Sequence, residues 1–214
     1  MGLARLAACG ALALALLGGA LAETPRRADA ARMMNELMSG KAQVGGPFTL
    51  TDQHGKRRSL SDFRGKLVLL YFGYTFCPDV CPTDMLSMGR LMALMGADAD
   101  KLQPVFVTLD PARDTAAVLR EYAAAFDARF VALRGTEAET RRVATLYKTY
   151  YEKVGPAGSK NYVIDHTAFI YLIDRDGNYV AFFPPGTTPE RMQVMVREAL
   201  TQPEGPTQPS RRNP

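Results

Sequence analysis

The feature that most constrains the fold is an uninterrupted apolar run, KLVLLYFGY at residues 66–74, which leads directly into a loop containing two cysteines. A short segment that is apolar at every position is typical of a strand buried on both faces of a sheet. Apolar side chains then recur at helical spacing from Met85 to Met95, and Pro82 suits the first turn of such a helix. We therefore expect a central strand to end, and a helix to begin, at the cysteines.

The rest of the chain alternates between strand-like and helix-like segments. Strands are expected at 104–110, 129–133, 167–174 and 178–183, with a small hairpin formed near the start by FTLTD and KRRSL. Helices are expected after the capping residues Asp114, Thr136 and Thr188, and the apolar face of the second of these helices extends to Tyr150. This order predicts an α/β sandwich, and the arrangement resembles a thioredoxin-like fold with an added N-terminal β-hairpin.

The two ends of the chain differ in composition from this domain, which we place at residues 46–200. Residues 1–22 have a basic start, an apolar middle and a small-x-small ending, which is the layout of a secretory signal peptide or a short membrane anchor. Residues 23–45 are a polar linker, and residues 201–214 are proline-rich without apolar clusters, which is typical of a disordered tail. We expect an exported, periplasmic protein, soluble or anchored to the inner membrane.

Charge and cysteine content exclude two classes of protein. The formal net charge is only +4 and is not clustered, so nucleic-acid binding has little support. The chain has three cysteines, one of which, Cys9, lies within the leader. A domain stabilised by disulfides would carry more cysteines at wider spacings. The remaining close pair, Cys77 and Cys81, therefore indicates chemistry rather than scaffolding.

The spacing of Cys77 and Cys81 leaves three kinds of chemistry open. At a helix N-terminus a thiolate is favoured over a thiol, and residues i and i+4 share a helix face, so we expect both sulfurs to converge on one point. That geometry admits a disulfide, a redox couple or part of a metal site. The three intervening residues make the motif wider than the C-x-x-C of thioredoxin-like redox proteins.

A metal site needs a third ligand, and the chain has only two histidines. His54 is expected to be a solvated residue of the N-terminal hairpin turn. His166 precedes the strand at 167–174, and in a thioredoxin-like fold the loop entering that strand faces the helix bearing the cysteines. Redox members of the fold place a cis-proline there, whereas this chain has Asp165-His166-Thr167. Two thiolates and an imidazole suit copper; zinc accepts them too, but a structural zinc site normally adds a fourth ligand.

These residues carry a resemblance to a known family. From about Pro47 to Leu200 the chain is similar to the Sco/SenC family of copper-binding proteins, which assist assembly of the copper A centre of cytochrome c oxidase. The similarity includes FTLTDQHGK, SDFRGKLVLLYFGYTFCPDVCP, VTLDPARDT and YVIDHTAFIYLIDRDGNYV. The ordered combination is specific, whereas C-x-x-x-C alone is weak. One departure is Phe76, because many bacterial relatives have histidine immediately before the first cysteine.

The resemblance implies a site and a set of partners. It implies that Cys77, Cys81 and His166 bind Cu(I) or Cu(II), with the oxidase subunit that carries the copper A site as the acceptor. Other periplasmic copper chaperones and thiol reductants are further expected partners. Family members are mostly tethered by an N-terminal helix, so a membrane tether is also expected.

Four neighbouring residues are candidates for supporting roles. Asp79 lies between the cysteines and either tunes their charge or acts as an ordinary carboxylate at a helix start. Asp110 and Arg113 are expected to form a local turn and an ion pair near the site. Asp165 is a candidate for orienting the ring of His166.

Three functions remain open at this point. A copper metallochaperone requires His166 as well as the cysteines, whereas a thiol–disulfide oxidoreductase that keeps oxidase cysteines reduced requires Cys77 and Cys81 alone. A peroxidase of the same fold usually has the pattern P-x-x-x-T-x-x-C, but Thr75 lies two residues before Cys77 rather than three. We favour the metallochaperone, with the thiol–disulfide oxidoreductase as the alternative. A metallochaperone requires no enzymatic activity.

Overall fold

The structure is a computed structural model that describes residues 32, 34–36, 43–156, 158–159 and 161–202. The predicted leader at residues 1–22 lies outside the described residues, as do most of the linker at 23–45 and of the tail at 201–214. Within the described part of the chain, no helix has the length and apolar character needed to cross a membrane.

A seven-stranded mixed sheet forms the centre of the molecule. Its strands are β1 Thr49–Asp52, β2 Arg57–Ser59, β3 Leu67–Gly73, β4 Leu102–Thr108, β5 Val131–Arg134, β8 Ile170–Ile173 and β9 Tyr179–Phe183. They lie in the order β2-β1-β5-β4-β3-β8-β9. Strands β3, β4 and β5 are parallel, and β8 and β9 continue the sheet as an antiparallel pair beside β3. As the apolar run predicts, every residue of β3 is buried.

Among the described residues from 43 onward, four helices surround the sheet, together with short 3-10 segments at Leu60–Phe63 and Gly96–Lys101. They are α1 Val80–Met95, α2 Ala116–Ala124, α3 Glu137–Leu146 and α4 Pro189–Thr201. Helices α1 and α4 pack against each other, and α2 packs against β5. The apolar stripe of α1 from Met85 to Met95 is buried, which confirms its assignment to the core.

The helix caps follow the sequence with one correction. Thr136 and Thr188 cap α3 and α4 as predicted, and Thr136 forms a capping box with Glu139. The cap of α2 is Thr115 rather than Asp114: the Thr115 hydroxyl accepts a hydrogen bond from the Val118 amide at 3.3 Å. The Asp114 side chain points instead into the molecule, where it accepts hydrogen bonds from Thr75 in the loop that contains Cys77. This loop is called the cysteine loop below.

The predicted N-terminal hairpin is present as the antiparallel pair β1–β2. It joins the main sheet through β5, where Thr51 lies opposite Arg134. The Gln53 side chain strengthens this junction, because its amide donates to the Phe130 carbonyl at 3.0 Å and its oxygen accepts from the Ala132 amide at 2.9 Å.

A second, two-stranded sheet was not predicted from the sequence. Strands β6 Tyr151–Val154 and β7 Val163–His166 pair antiparallel, with Tyr151 opposite His166. Helix α3 was expected to continue to Tyr150, but it ends at Leu146 because Lys148 takes a left-handed conformation with φ of 55°. The Thr149 amide then returns to the Ala144 carbonyl at 2.8 Å, which closes the helix and releases the chain into β6.

Candidate metal centre

The three predicted ligands converge at the end of β3. Side-chain ligand atoms of Cys77, Cys81 and His166 all lie within 4.8 Å of one another. They come from three different places: Cys77 from the loop after β3, Cys81 from the first turn of α1, and His166 from the last position of β7. The expectation that both cysteines share one helix face is wrong, because α1 begins at Val80 and leaves Cys77 outside it.

A glycine makes room for the inner sulfur. Cys81 is completely buried, and a Cβ atom added to Gly73 would lie 3.0 Å from Cys81 Sγ and 3.0 Å from Tyr71 Cε1. Both distances are shorter than ordinary van der Waals contact, so a larger residue at position 73 would require the sulfur and the ring to move by a few tenths of an ångström. The sequence analysis missed Gly73, although a glycine at the end of an apolar strand is a signal of close approach.

The two thiols lie in unlike electrostatic environments. Burial raises the pKa of the half-buried Cys77 thiol, but hydrogen bonds with His166, with the backbone of Asp79 and with Cys81 outweigh it and lower the pKa to about 6. Burial dominates at Cys81 and raises its pKa well above the ordinary value. The pair therefore presents one thiolate at neutral pH, with the second proton held inside.

His166 is oriented by the backbone and by aromatic rings. Its Nδ1 lies 3.2 Å from the Thr167 carbonyl, which only accepts, so Nδ1 carries a hydrogen and Nε2 faces the sulfurs. Nε2 lies 3.3 Å from Cys81 Sγ. The rings of Tyr71 and Tyr74 meet the imidazole edge-on, at centroid distances of 6.5 and 6.1 Å. Asp165, the candidate for orienting this ring, is exposed instead.

The loop that carries Cys77 is anchored by a buried carboxylate. Asp114 accepts hydrogen bonds from the Thr75 amide at 3.1 Å, from the Thr75 hydroxyl at 2.6 Å and from the Thr108 hydroxyl at 2.5 Å. These contacts join the cysteine loop to the end of β4. Asp114 was interpreted as a helix cap, so its role at the site was not recognised from the sequence.

The remaining candidates differ in their relation to the site. Asp110 and Arg113 form the expected ion pair, and the Asp110 side chain is fully buried. Asp79 is exposed, and its side chain forms no capping hydrogen bond at the start of α1. His54 is exposed in the β1–β2 turn, as predicted.

Another buried carboxylate lies on α1, one turn after Cys81. Asp84 is fully buried, and its Oδ1 accepts from the Gly186 amide at 3.2 Å, which attaches the turn between β9 and α4 to the helix. Burial raises the pKa of Asp84 against the opposing hydrogen bonds with Gly186 and Tyr71. The buried Tyr71 hydroxyl lies in the same region and interacts electrostatically with both Cys81 and Asp84.

The donor set fits a soft metal ion. Two sulfurs and one imidazole nitrogen are ligands preferred by copper, and they converge without a fourth Cys, His, Asp or Glu side chain within the described ranges. One of the sulfurs is already favoured as a thiolate, which is the form that binds metal. The geometry therefore provides a three-ligand site with an inner sulfur, an outer sulfur and a histidine from a separate sheet.

Comparison with known proteins agrees with this geometry. The SCO1/SenC family model matches residues 36–201. The chain belongs to the SCO1/SenC family. The SCO2-like protein of Rickettsia prowazekii is 38% identical over 161 residues, which are 75% of this chain and 78% of that protein.

Solved structures of Sco proteins share the fold. The structure of Bradyrhizobium japonicum ScoI with copper bound has 44% sequence identity and a TM-score of 0.67, and the match covers 73% of this chain and 99% of that one. Yeast Sco1 with copper bound has 30% identity and a TM-score of 0.71, over 80% of this chain and 96% of its own. The predicted thioredoxin-like α/β fold and the resemblance to the Sco/SenC family are thus confirmed.

Proposed function

We propose that this protein binds one copper ion through Cys77, Cys81 and His166 and carries it as cargo. The observation that carries the proposal is the convergence of the two sulfurs and the imidazole within 4.8 Å, on three separate segments of the fold. The donor chemistry supports it, because soft sulfur ligands suit Cu(I) and imidazole accommodates both oxidation states. The copper-bound ScoI and Sco1 relatives support it independently.

We further propose that the acceptor is the cytochrome c oxidase subunit that carries the copper A site. Membership of the SCO1/SenC family supports this acceptor. A three-ligand site leaves room for a ligand from the acceptor to join before a resident ligand departs. The proposed place of work is outside the cytoplasm, where other copper chaperones or thiol reductants would load the site or keep its sulfurs reduced.

The difference between the two thiols favours a second candidate function, reduction of disulfides in the acceptor. The Cys77 thiolate would attack one sulfur of the acceptor disulfide, forming a mixed disulfide and releasing the other sulfur as a thiolate. Cys81 would then attack Cys77, its proton passing to the acceptor thiolate released first, which releases the second acceptor thiolate and leaves a Cys77–Cys81 disulfide. Two electrons pass from this protein to the acceptor, and the oxidised form has no free sulfur left for copper.

Metal analysis of the reduced protein tests the copper proposal. We expect the wild-type protein to bind one Cu(II) ion with a visible thiolate-to-copper charge-transfer band. His166→Ala should weaken binding and alter that band, because one ligand is lost. His54→Ala is the matched control: its side chain is exposed in a turn remote from the site, so both the stoichiometry and the spectrum should match the wild type.

The same variants separate the two candidate functions. If His166→Ala leaves the stoichiometry, affinity and spectrum of copper binding unchanged, the ligand assignment is wrong. If the wild-type protein binds no copper but reduces a model disulfide in proportion to its free Cys77 and Cys81 thiols, the reductase replaces the chaperone as its function.

A further inference from the structure

Arg113 lies between the two segments that present the ligands. On one side its guanidinium carbon is 5.0 Å from the ring centroid of Phe76, the residue immediately before Cys77. On the other side it is 3.7 Å from the ring centroid of Tyr162, which immediately precedes the strand β7 that ends in His166. One side chain therefore contacts both the cysteine loop and the histidine strand.

Hydrogen bonds fix Tyr162 to the same group. The Nη1 atom of Arg113 donates to the Tyr162 carbonyl at 3.0 Å, and its Nε donates to Asp110 Oδ2. The second oxygen of that carboxylate, Oδ1, accepts from the Tyr162 hydroxyl at 2.7 Å. Tyr162 is thus held by its ring, its carbonyl and its hydroxyl. We refer to Asp110, Arg113, Tyr162 and Phe76 as the Arg113 bridge.

The main sheet does not supply this connection. Strands β6 and β7 form a separate two-stranded sheet, in which each strand pairs with the other and with no strand of the main sheet. A short two-stranded hairpin is marginally stable without packing against other elements. The position of His166 relative to Cys77 consequently depends on contacts that cross between the hairpin and the cysteine loop, and the Arg113 bridge is one of these.

We propose that Arg113 is a positioning residue that holds the His166 imidazole within 4.8 Å of the two sulfurs. This inference rests on the proposed copper function. Arginine is suited to the task because its planar guanidinium stacks on aromatic rings and donates several hydrogen bonds at fixed angles. Lysine keeps the positive charge but lacks the planar guanidinium and its several N–H donors. Arg113→Lys should therefore loosen the β6–β7 hairpin without removing the charge.

The first measurement needs no metal. In the reduced, metal-free protein, Arg113→Lys should speed hydrogen exchange of the amides from Val163 to His166 by about tenfold. Arg141→Lys is the matched control, since Arg141 lies 5.2 Å from the Tyr151 ring centroid on the other strand of the hairpin and is exposed. Its substitution should change that exchange by less than about twofold.

The second measurement is a thermodynamic cycle on copper affinity. Arg113→Lys should weaken Cu(II) binding by about tenfold in the wild-type background, the loss expected when a residue that orients a ligand is changed. In the His166→Ala background it should cause no further loss, because the residue on which it acts is absent. An equal loss in both backgrounds would mean that Arg113 acts on the fold or on the cysteines, and would overturn the proposal.

Two further results distinguish failure of this inference from failure of the copper proposal. If no variant binds copper, the proposed function fails, and so does the positioning of a copper ligand, whereas the exchange measurement still reports whether the bridge holds the hairpin. If Arg113→Lys does not fold, Tyr162→Phe removes only the hydroxyl bond to Asp110, and it should show a smaller loss of affinity that also disappears in the His166→Ala background. Wild-type exchange rates and affinity in Arg113→Lys would contradict the inference outright.

Discussion

At the scale of single residues, the two thiols of the site differ in burial and in pKa although they are chemically identical. Cys77 is half-buried and accepts hydrogen bonds that favour its thiolate, whereas Cys81 is completely buried and keeps its proton. The outer sulfur is thus the one that is favoured as a thiolate at neutral pH. The inner sulfur would become a ligand only when its proton is removed, and His166 Nε2 lies 3.3 Å from that sulfur.

This asymmetry predicts unequal alkylation in the reduced, metal-free protein. The thiolate is the reactive form and prevails above the pKa, so labelling of Cys77 by iodoacetamide should reach half its maximal rate near pH 6. Cys81 should remain unlabelled on that timescale. In denaturant both should react with a midpoint near the ordinary thiol pKa of 9.0. Mass spectrometry of the labelled peptides measures each site, and a Cys77 midpoint near that of the denatured protein would contradict the assignment.

Gly73 gives a second prediction at this scale. Gly73→Ala should weaken copper binding by about tenfold, because the new methyl group would overlap Cys81 Sγ and force a shift in a packed core. Val68→Ala, in the same buried strand, is the control: it should lower the free energy of unfolding by about 2–3 kcal/mol without changing copper affinity. Equal copper affinity in Gly73→Ala and wild type would show that the sulfur has more room than the structure gives it.

At the scale of elements, the sequence predicted correctly those helices and strands whose ends are determined by their own residues. The apolar run of β3, the stripe of α1 and the capping box at Thr136 each carry a local signal, and each was predicted. The β6–β7 hairpin has no such signal, because it depends on the left-handed turn at Lys148, a conformation that lysine rarely adopts. Cys77 lies outside α1 for a tertiary reason as well: Asp114, distant in sequence, holds the preceding loop.

Helix α1 carries the buried carboxylate of Asp84, which predicts a pH-dependent stability. Because the folded-state pKa of Asp84 is raised, protonation favours the fold below about pH 3.8, and that contribution is lost as the pH rises through the folded pKa. Asp84→Asn should therefore raise the free energy of unfolding by about 1–2 kcal/mol at neutral pH. The gain should shrink as the pH falls toward 4, measured by urea denaturation of both proteins.

Asp98 provides a control of opposite sign. It lies in the 3-10 segment that follows α1, and a hydrogen bond with Lys101, aided by its positive charge, lowers the pKa of the Asp98 carboxyl. Asp98→Asn should therefore slightly reduce stability at neutral pH, and the deficit should disappear at acid pH. If the two variants show the same pH trend, the ionisation of Asp84 is not what limits stability.

At the scale of the whole molecule, the fold combines a rigid main sheet with a small separate sheet, and the ligands are divided between them. The sulfurs come from the junction of β3 and α1, while the imidazole comes from β7. Loss of the histidine therefore leaves both thiols in place but removes one of the three ligands of the metal site. The roles of chaperone and reductase are therefore separable by a single substitution.

A complementation experiment uses that separation. A strain lacking the gene should lose cytochrome c oxidase activity when copper is scarce and recover part of it with added copper. Cys77→Ser/Cys81→Ser should fail to complement under either hypothesis. His166→Ala should fail as severely if copper delivery is the task, and should complement nearly fully if thiol reduction is the task. His54→Ala, expressed at the same level, should complement like the wild type.

The graded exposure of the three ligands has a consequence for the order of events during transfer. Cys81 is sealed inside, Cys77 is half-covered, and His166 lies at the end of a strand outside the main sheet. A ligand arriving from an acceptor would therefore meet the imidazole and the outer sulfur before the inner sulfur. The proposed release of copper would then be sequential, with Cys81 as the last ligand to leave. A competitor too bulky to pass the half-buried sulfur would remove the histidine bond yet leave the ion on the protein.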